Sequence, residues 1–373
     1  MYDQIREDTL FIILYSVVTA MAMMASCYLL SRRGNAFATD IKTPAHLRRW
    51  TAVFLAAFAL NHVWYMPIFF LSSSEDIRLC DLVGGLLDSM TIFPLAIIVL
   101  LAMLQDRRRP IWPVAVMFVP LAVGNALCVA TLSYDFLPVL YLYLLMMGMG
   151  IIIYMVRALR QYGRWLRDNY ADLEHKEVWQ SFVVLAIVLL VFVVYALTNE
   201  NQIFIYVMLA VSAVLICYLL WRVETLSDLS FSQSSINEEA VTTQEQTTHN
   251  DYGPFLQKYC IDTQLYLQHD LTLLQLSKAI GTNRFYLSQY FSSQGTTYNA
   301  YINNLRVDHF VSLYREALAS QRYITAQQLA QESGFRSYST FCRVIKVKTG
   351  KSVTAWMKDC VRAQSYQISK YSY

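Results

Sequence analysis

The chain has 373 residues, 15% of them charged, with 56% apolar or aromatic side chains, a formal net charge of +3, and only 12 Gly and 8 Pro. The apolar fraction alone is close to that of soluble proteins, but its distribution is not: seven windows of 19 to 23 residues hold one formal charge between them, Asp88. That pattern excludes a secreted protein, a disulfide scaffold and a wholly cytosolic enzyme.

The windows run Leu10 to Leu30, Thr51 to Leu71, Leu82 to Leu104, Ile111 to Leu132, Leu137 to Val156, Val178 to Leu197 and Ile203 to Trp221. As a helix each reaches roughly 30 Å, the thickness of the bilayer hydrocarbon, so the sequence predicts a seven-helix membrane bundle within residues 1–223. Acidic Asp3, Glu7 and Asp8 precede the first window and basic Arg32 and Arg33 follow it, the reverse of a cleavable signal. Asn61, His62, Asp88 and Asn125 are polar groups that lipid penalises, so they are expected to face the bundle interior. There they either hydrogen-bond between helices or line a ligand cavity.

Lys and Arg fall unevenly between alternate loops. Fourteen lie on one side, among them Arg48, Arg107, Arg164 and Arg222, against Arg6 and Arg78 on the other. By the positive-inside rule the N-terminus is outside a bacterial-type inner membrane and everything after Trp221 is cytoplasmic.

Residues 224–254 are rich in Ser, Thr, Gln and Glu, with six acidic residues and no Lys or Arg, and lack the apolar content for a core. They are read as a flexible acidic linker whose first turns prolong the last membrane helix. From Phe255 to Tyr373 the balance reverses, with 14 basic against six acidic residues, a net charge of +8 on 119 residues. A basic domain of this kind favours a polyanionic partner.

This domain repeats itself. The segment from Leu271, LTLLQLSKAIGTNRFYLSQYF, aligns with ITAQQLAQESGFRSYSTFCRVI from Ile324 when the second copy takes one extra residue after its Gly. Each copy has a TxxQ box, Thr272 with Gln275 and Thr325 with Gln328, that can cap a short helix. Each then has a Gly, Gly281 or Gly334, where a helix ends in a left-handed residue. On the second helix of each copy Leu287, Tyr290 and Phe291, or Phe341, Val344 and Ile345, share one face at helical spacing. The opposite faces are expected to present Phe285, Ser288, Gln289 and Ser292, and Ser339, Cys342, Arg343 and Lys346. A short helix, a Gly turn and an amphipathic helix is the geometry that places side chains in a DNA major groove. Between the copies, Thr297 to Ala319 reads as one long helix of about 33 Å, close to a turn of B-DNA.

Within the second copy, GFRSYSTFCRVIKVKTG from Gly334 resembles the signature GFxSxSxFxRxFKxxxG of the AraC/XylS transcription regulators. Gly334, Phe335, Ser337, Ser339, Phe341, Arg343, Lys346 and Gly350 match it, as do Ile324, Thr325, Leu329 and Ala330 ahead of it, and Leu287, Ser288 and Phe291 match the core of the first unit. The resemblance covers Phe255 to Arg362 and does not extend to the membrane part. It implies one subunit with two helix-turn-helix units in successive major grooves, double-stranded DNA as partner, and control of transcription by recruiting RNA polymerase. Three departures stand out: a nearly uncharged first recognition helix, with Gln289, Ser292, Ser293 and Gln294 where relatives often carry Arg or Lys, so that few phosphate contacts are expected of it, an interval from Gly281 to Gly295 one residue shorter than usual, and Val353 in place of a Pro.

Arg343 is the expected base reader, since a guanidinium grips guanine O6 and N7 bidentately. Lys346, Lys348 and Lys351 are expected on phosphates, and Gln289 can read adenine. The chain carries no GxxxxGKS, GxSxG or HExxH motif and no CxxC pair, so no catalytic residue, metal site or cofactor is expected. The expected fold is all-α and the expected function a membrane-tethered, sequence-specific transcription regulator coupled to an unidentified signal, with homodimer formation open. The rival reading is a transporter or receptor whose cytoplasmic tail binds a protein; interrupted helices and more intramembrane charge would favour it.

Overall fold

The computed structural model describes residues 8–32, 43–107, 109–133, 135–174, 176–184, 186–187, 202–229 and 251–371. Every element among them is a helix, apart from one isolated β-bridge, and the chain divides into two compact units. The first comprises Met1–Tyr162 and Val178–Ser230; the second comprises Gly163–Glu177 and Phe231–Tyr373.

In the first unit the helices are α1 (Thr9–Ser31), α2 (Ala45–Tyr65), α3 (Ser74–Met90), α4 (Ile92–Met103), α5 (Trp112–Thr131), α6 (Leu137–Asn169), which runs on into the second unit, and α7 (Gln202–Thr225). Among the described residues six helical stretches are long and apolar enough to cross a membrane, with α3 and α4 forming one of them, broken only at Thr91. The sixth window, Val178 to Leu197, lies mostly outside the described residues, as do the loop 198–201 and the linker stretch 230–250. Two boundaries differ from the sequence reading. The Ser72 to Asp81 loop is largely helix, because Ser73 accepts from the Asp76 amide and Glu75 and Asp76 favour the positive end of the helix dipole. The fifth window ends at Val156 by hydropathy, yet its helix continues to Asn169 through Arg157, Arg160, Arg164 and Arg167.

The bundle is tied by backbone carbonyls that accept from neighbouring helices. Tyr15 Oη donates to His62 O at 2.8 Å, Ser26 Oγ to Ala52 O at 2.8 Å, and Arg48 Nε to Leu29 O at 2.8 Å. Arg48 also pairs with the fully buried Glu224 at 3.5 Å. Gly84 faces the Tyr65 ring, which an added Cβ would displace, so the Gly lets the ring lie close against α3. Just past α7, the Gln105 side chain donates to Ser227 O and accepts from the Leu229 amide, and Leu226 and Leu229 are buried. The acidic stretch after Trp221 thus begins as packed structure.

The intramembrane polar residues do not all meet. Asn61 Nδ2 donates to Asp88 at 2.8 Å and to Thr91 at 3.1 Å, and Tyr65 Oη donates to the second Asp88 oxygen at 2.9 Å. His62 stacks on Tyr15 and turns its Nδ1 to Phe58 O. Asn125 takes no part in these bonds and is half-buried on α5. A cavity of about 130 Å³ in this unit is lined by mostly apolar groups including Phe54, Phe58, Phe93 and Tyr218, and by none of these four.

Candidate nucleic-acid interface

The second unit carries two helix-turn-helix repeats around one long helix. In the first, α8 (Gly253–Leu256) and a following turn lead to α9 (Leu273–Ile280) and α10 (Arg284–Ser293). Thr272 accepts from the Gln275 amide at 3.2 Å while the Gln275 side chain accepts from the Thr272 amide at 2.8 Å, a reciprocal cap. Leu273, Leu276 and Ile280 turn one face inward, Gly281 ends the helix at φ 79°, and Asn283 caps α10 on the Phe285 amide.

The second repeat is built the same way. Thr325 and Gln328 form the reciprocal cap of α12 (Ala326–Glu332), Gly334 lies at φ 86°, and Ser337 caps α13 (Tyr338–Thr349). A Cβ on Gly334 would stand 2.7 Å from Leu267 Cα, so this Gly provides both the positive φ and the close approach of the first repeat's backbone. Gly350, at φ 72°, ends α13, and α14 (Val353–Tyr371) follows. Val353, which replaces the usual Pro, is buried in the second core, so the substitution supplies packing where Pro would supply a fixed φ.

Helix α11 (Tyr298–Ala319) serves both cores. Tyr298 and Ile302 join Leu276, Leu287 and Phe291, whereas Val307, Phe310 and Tyr314 join Leu329, Phe335, Phe341 and Ile345. Arg306 sits where α11 passes from one core to the other and is 1% exposed. Its Nε donates to Tyr266 O at 2.8 Å and its second Nη to Gln268 O at 2.7 Å and His269 O at 3.3 Å, and its guanidinium lies 5.8 Å from the Phe335 ring centroid. One buried cation therefore links the first repeat's backbone to the second repeat's core. Burial pulls its pKa down from the ordinary guanidinium value, and Tyr298, Asp172 and Asp270 act in the opposite direction. Sequence reasoning missed this residue, because a lone Arg on a long helix reads as surface.

The expected contact residues lie as follows. On α10, Phe285 is 67% exposed and Gln289 and Ser292 are exposed, while Ser288 is half-buried and its carbonyl accepts from Ser292 Oγ. On α13, Ser339, Arg343 and Lys346 are exposed; Cys342, expected outward, is half-buried against the second core. Arg343 stands 3.6 Å from the Glu177 carboxylate. Lys348 pairs with Asp308 at 2.6 Å and Lys351 with Asp359 at 2.6 Å. The Lys351 contact holds the Asp359 carboxyl below its ordinary pKa. These pairs are exposed and contribute little by themselves, so polyanion oxygens can replace their carboxylates. No group of three His, Cys, Asp or Glu side chains that could hold a metal occurs among the described residues.

The second unit also takes in Gly163–Glu177, which the hydropathy reading left with the membrane part. Tyr170 forms an antiparallel bridge with Thr272, and Ala171 is buried in the first core. Asn299 Nδ2 donates to Tyr170 O at 3.0 Å and Ala171 O at 2.6 Å, and Asn303 Nδ2 to Ala171 O at 3.1 Å. Lys176 lies 5.4 Å over the Tyr170 ring, and burial lowers its pKa below the ordinary lysine value.

Residues 276–359 match the family model described as a helix-turn-helix domain, of AraC type. No match is found among curated proteins or among solved structures. The chain thus joins an AraC-type helix-turn-helix domain, a module of DNA-binding transcription regulators, to a set of helices apolar enough for a membrane.

Proposed function

We propose that the protein is a membrane-tethered, sequence-specific transcription regulator that couples a signal at or in the membrane to transcription. The observation that carries this reading is the pair of helix-turn-helix repeats held on one long helix by Arg306, in a chain whose described residues include six membrane-length apolar helices. Arg343 reads a base edge; Phe285, Ser288, Gln289, Ser292, Ser339 and Cys342 contribute shape and polar contacts; Lys346, Lys348 and Lys351 neutralise phosphates. The domain acts on RNA polymerase beside its site, with no chemistry of its own. A bundle of many spans exceeds what an anchor needs, and it is the sensor: a ligand that favours one packing or a paired bundle raises the local concentration of a second domain on DNA. The test is selection of bound fragments from random duplex DNA by the full chain in lipid nanodiscs. Enrichment of a shared site supports the reading, and recovery of random sequence overturns it.

The charge asymmetry adds a prediction of topology, with the N-terminus outside and the second unit in the cytoplasm of a bacterial inner membrane. A reporter active only in the cytoplasm is expected to work after Trp221 and to fail at Ser72. The reverse pattern would overturn the seven-span arrangement.

A further inference from the structure

Gly163–Glu177 begins with the last turns of α6, the helix of the fifth apolar stretch, yet it folds as part of the second unit. We propose that this segment is a docking element whose Glu177 competes with DNA for Arg343, so that the fifth span is connected to the state of the second recognition helix. The inference rests on the DNA-binding reading and extends it to regulation.

Two kinds of contact divide the segment. At Tyr170 and Ala171 the docking is built in: two Asn side chains of α11 reach the two carbonyls, a β-bridge joins Thr272, and the Ala171 methyl is 1% exposed among the apolar residues of the first core. Asn299 and Asn303 sit one helical turn apart, so both amides fall on the same face of α11. Removing the segment would uncover that core and leave the amides unpaired.

At Glu177 the contact is of the opposite kind. Its carboxylate lies 3.6 Å from Arg343, with 33% and 63% of the two side chains exposed. An exposed pair of this sort shifts an equilibrium by up to about five-fold, enough to bias binding and too little to prevent it. A carboxylate and a phosphate or guanine acceptor make the same demand on a guanidinium, a pair of oxygen or nitrogen acceptors in its plane. Glu177 and DNA therefore compete for the same guanidinium. The anchored part keeps Glu177 within reach after it is displaced, so the competitor acts at a high effective concentration. Any movement of the fifth span that shifts the segment then alters how often Arg343 is available.

The experiment uses the full chain in nanodiscs and two readouts. First, without DNA, amide hydrogen exchange of residues 170–174 is expected to be slowed by the docking, and Asn299→Ala with Asn303→Ala to speed it about tenfold or more, while α13 stays protected as a check on folding. Exchange of 170–174 in the unaltered chain as fast as in a free peptide would overturn the docking. Second, on the selected duplex, Glu177→Gln is expected to tighten binding about two- to five-fold in the Arg343 background and to change nothing in the Arg343→Ala background. An equal gain in both backgrounds, or none in either, would overturn the competition, since removal of a negative charge near DNA acts whether or not Arg343 is present. If no duplex binds at all, the DNA-binding reading fails and the competition with it, and the exchange readout reports on the docking alone.

Discussion

Arg306→Ala is expected to destabilise the second unit by about 2–4 kcal/mol, because it removes hydrogen bonds from a charged donor and the packing of a fully buried side chain. The carbonyl of buried Tyr266 loses its side-chain donor, as do those of exposed Gln268 and His269, of which Gln268 O keeps the Leu271 amide at 3.3 Å. Each buried acceptor left unpaired costs on the order of 1–3 kcal/mol, less what entering water recovers. Arg306→Lys should restore only part, because an ammonium cannot span the two directions that Nε and Nη serve and does not stack on Phe335 in the same way. Proteolysis of the full chain across a urea series, read on the 251–373 region, gives the change. A midpoint shift equivalent to less than about 1 kcal/mol would mean that packing alone orients the two repeats.

Arg343→Ala is expected to weaken binding at the preferred site by about 1–3 kcal/mol and to relax base choice at one position. Its side chain is 63% exposed on α13, opposite the buried Phe341 and Ile345, so truncation leaves the core intact and the loss belongs to the interface. Lys348→Ala should instead weaken all sequences alike and reduce the salt slope by about one. Its pairing with Asp308 holds the ammonium over α11 rather than in the groove. Competition binding over a panel of single-base variants separates the two. Uniform losses from both mutants would reassign Arg343 to a phosphate.

What was legible in the sequence followed from local rules. The TxxQ boxes, Gly281, Gly334 and the apolar spacing of α9, α10, α12 and α13 each act within one or two turns of chain, and the structure forms both caps and both left-handed turns where the repeat places them. Arg306 was not legible, because its acceptors lie 37 to 40 residues away and nothing nearby marks it as buried. Neither was Ala171, held by Asn299 and Asn303 across 128 and 132 residues. Hydropathy also placed the ends of α3 and α6 wrongly, since it scores transfer to lipid and does not see the Ser73 cap, or a helix that continues past its apolar stretch. Cys342 shows the limit of a face argument: it lies at the border of the two faces of α13, and packing against the second core decides its side.

The second unit draws on two separate stretches of chain, 163–177 and 231–373, and the consequence concerns how it could ever leave the membrane. A peptidase cutting once between 231 and 250 would sever the C-terminal stretch from α7, yet the fragment would remain packed on Tyr170 and Ala171, which are still covalently joined to a span. On the membrane-tethered reading, release of that fragment would need the segment to undock as well. The arrangement makes escape depend on two events rather than one, and a nicked molecule is expected to stay joined to its apolar helices.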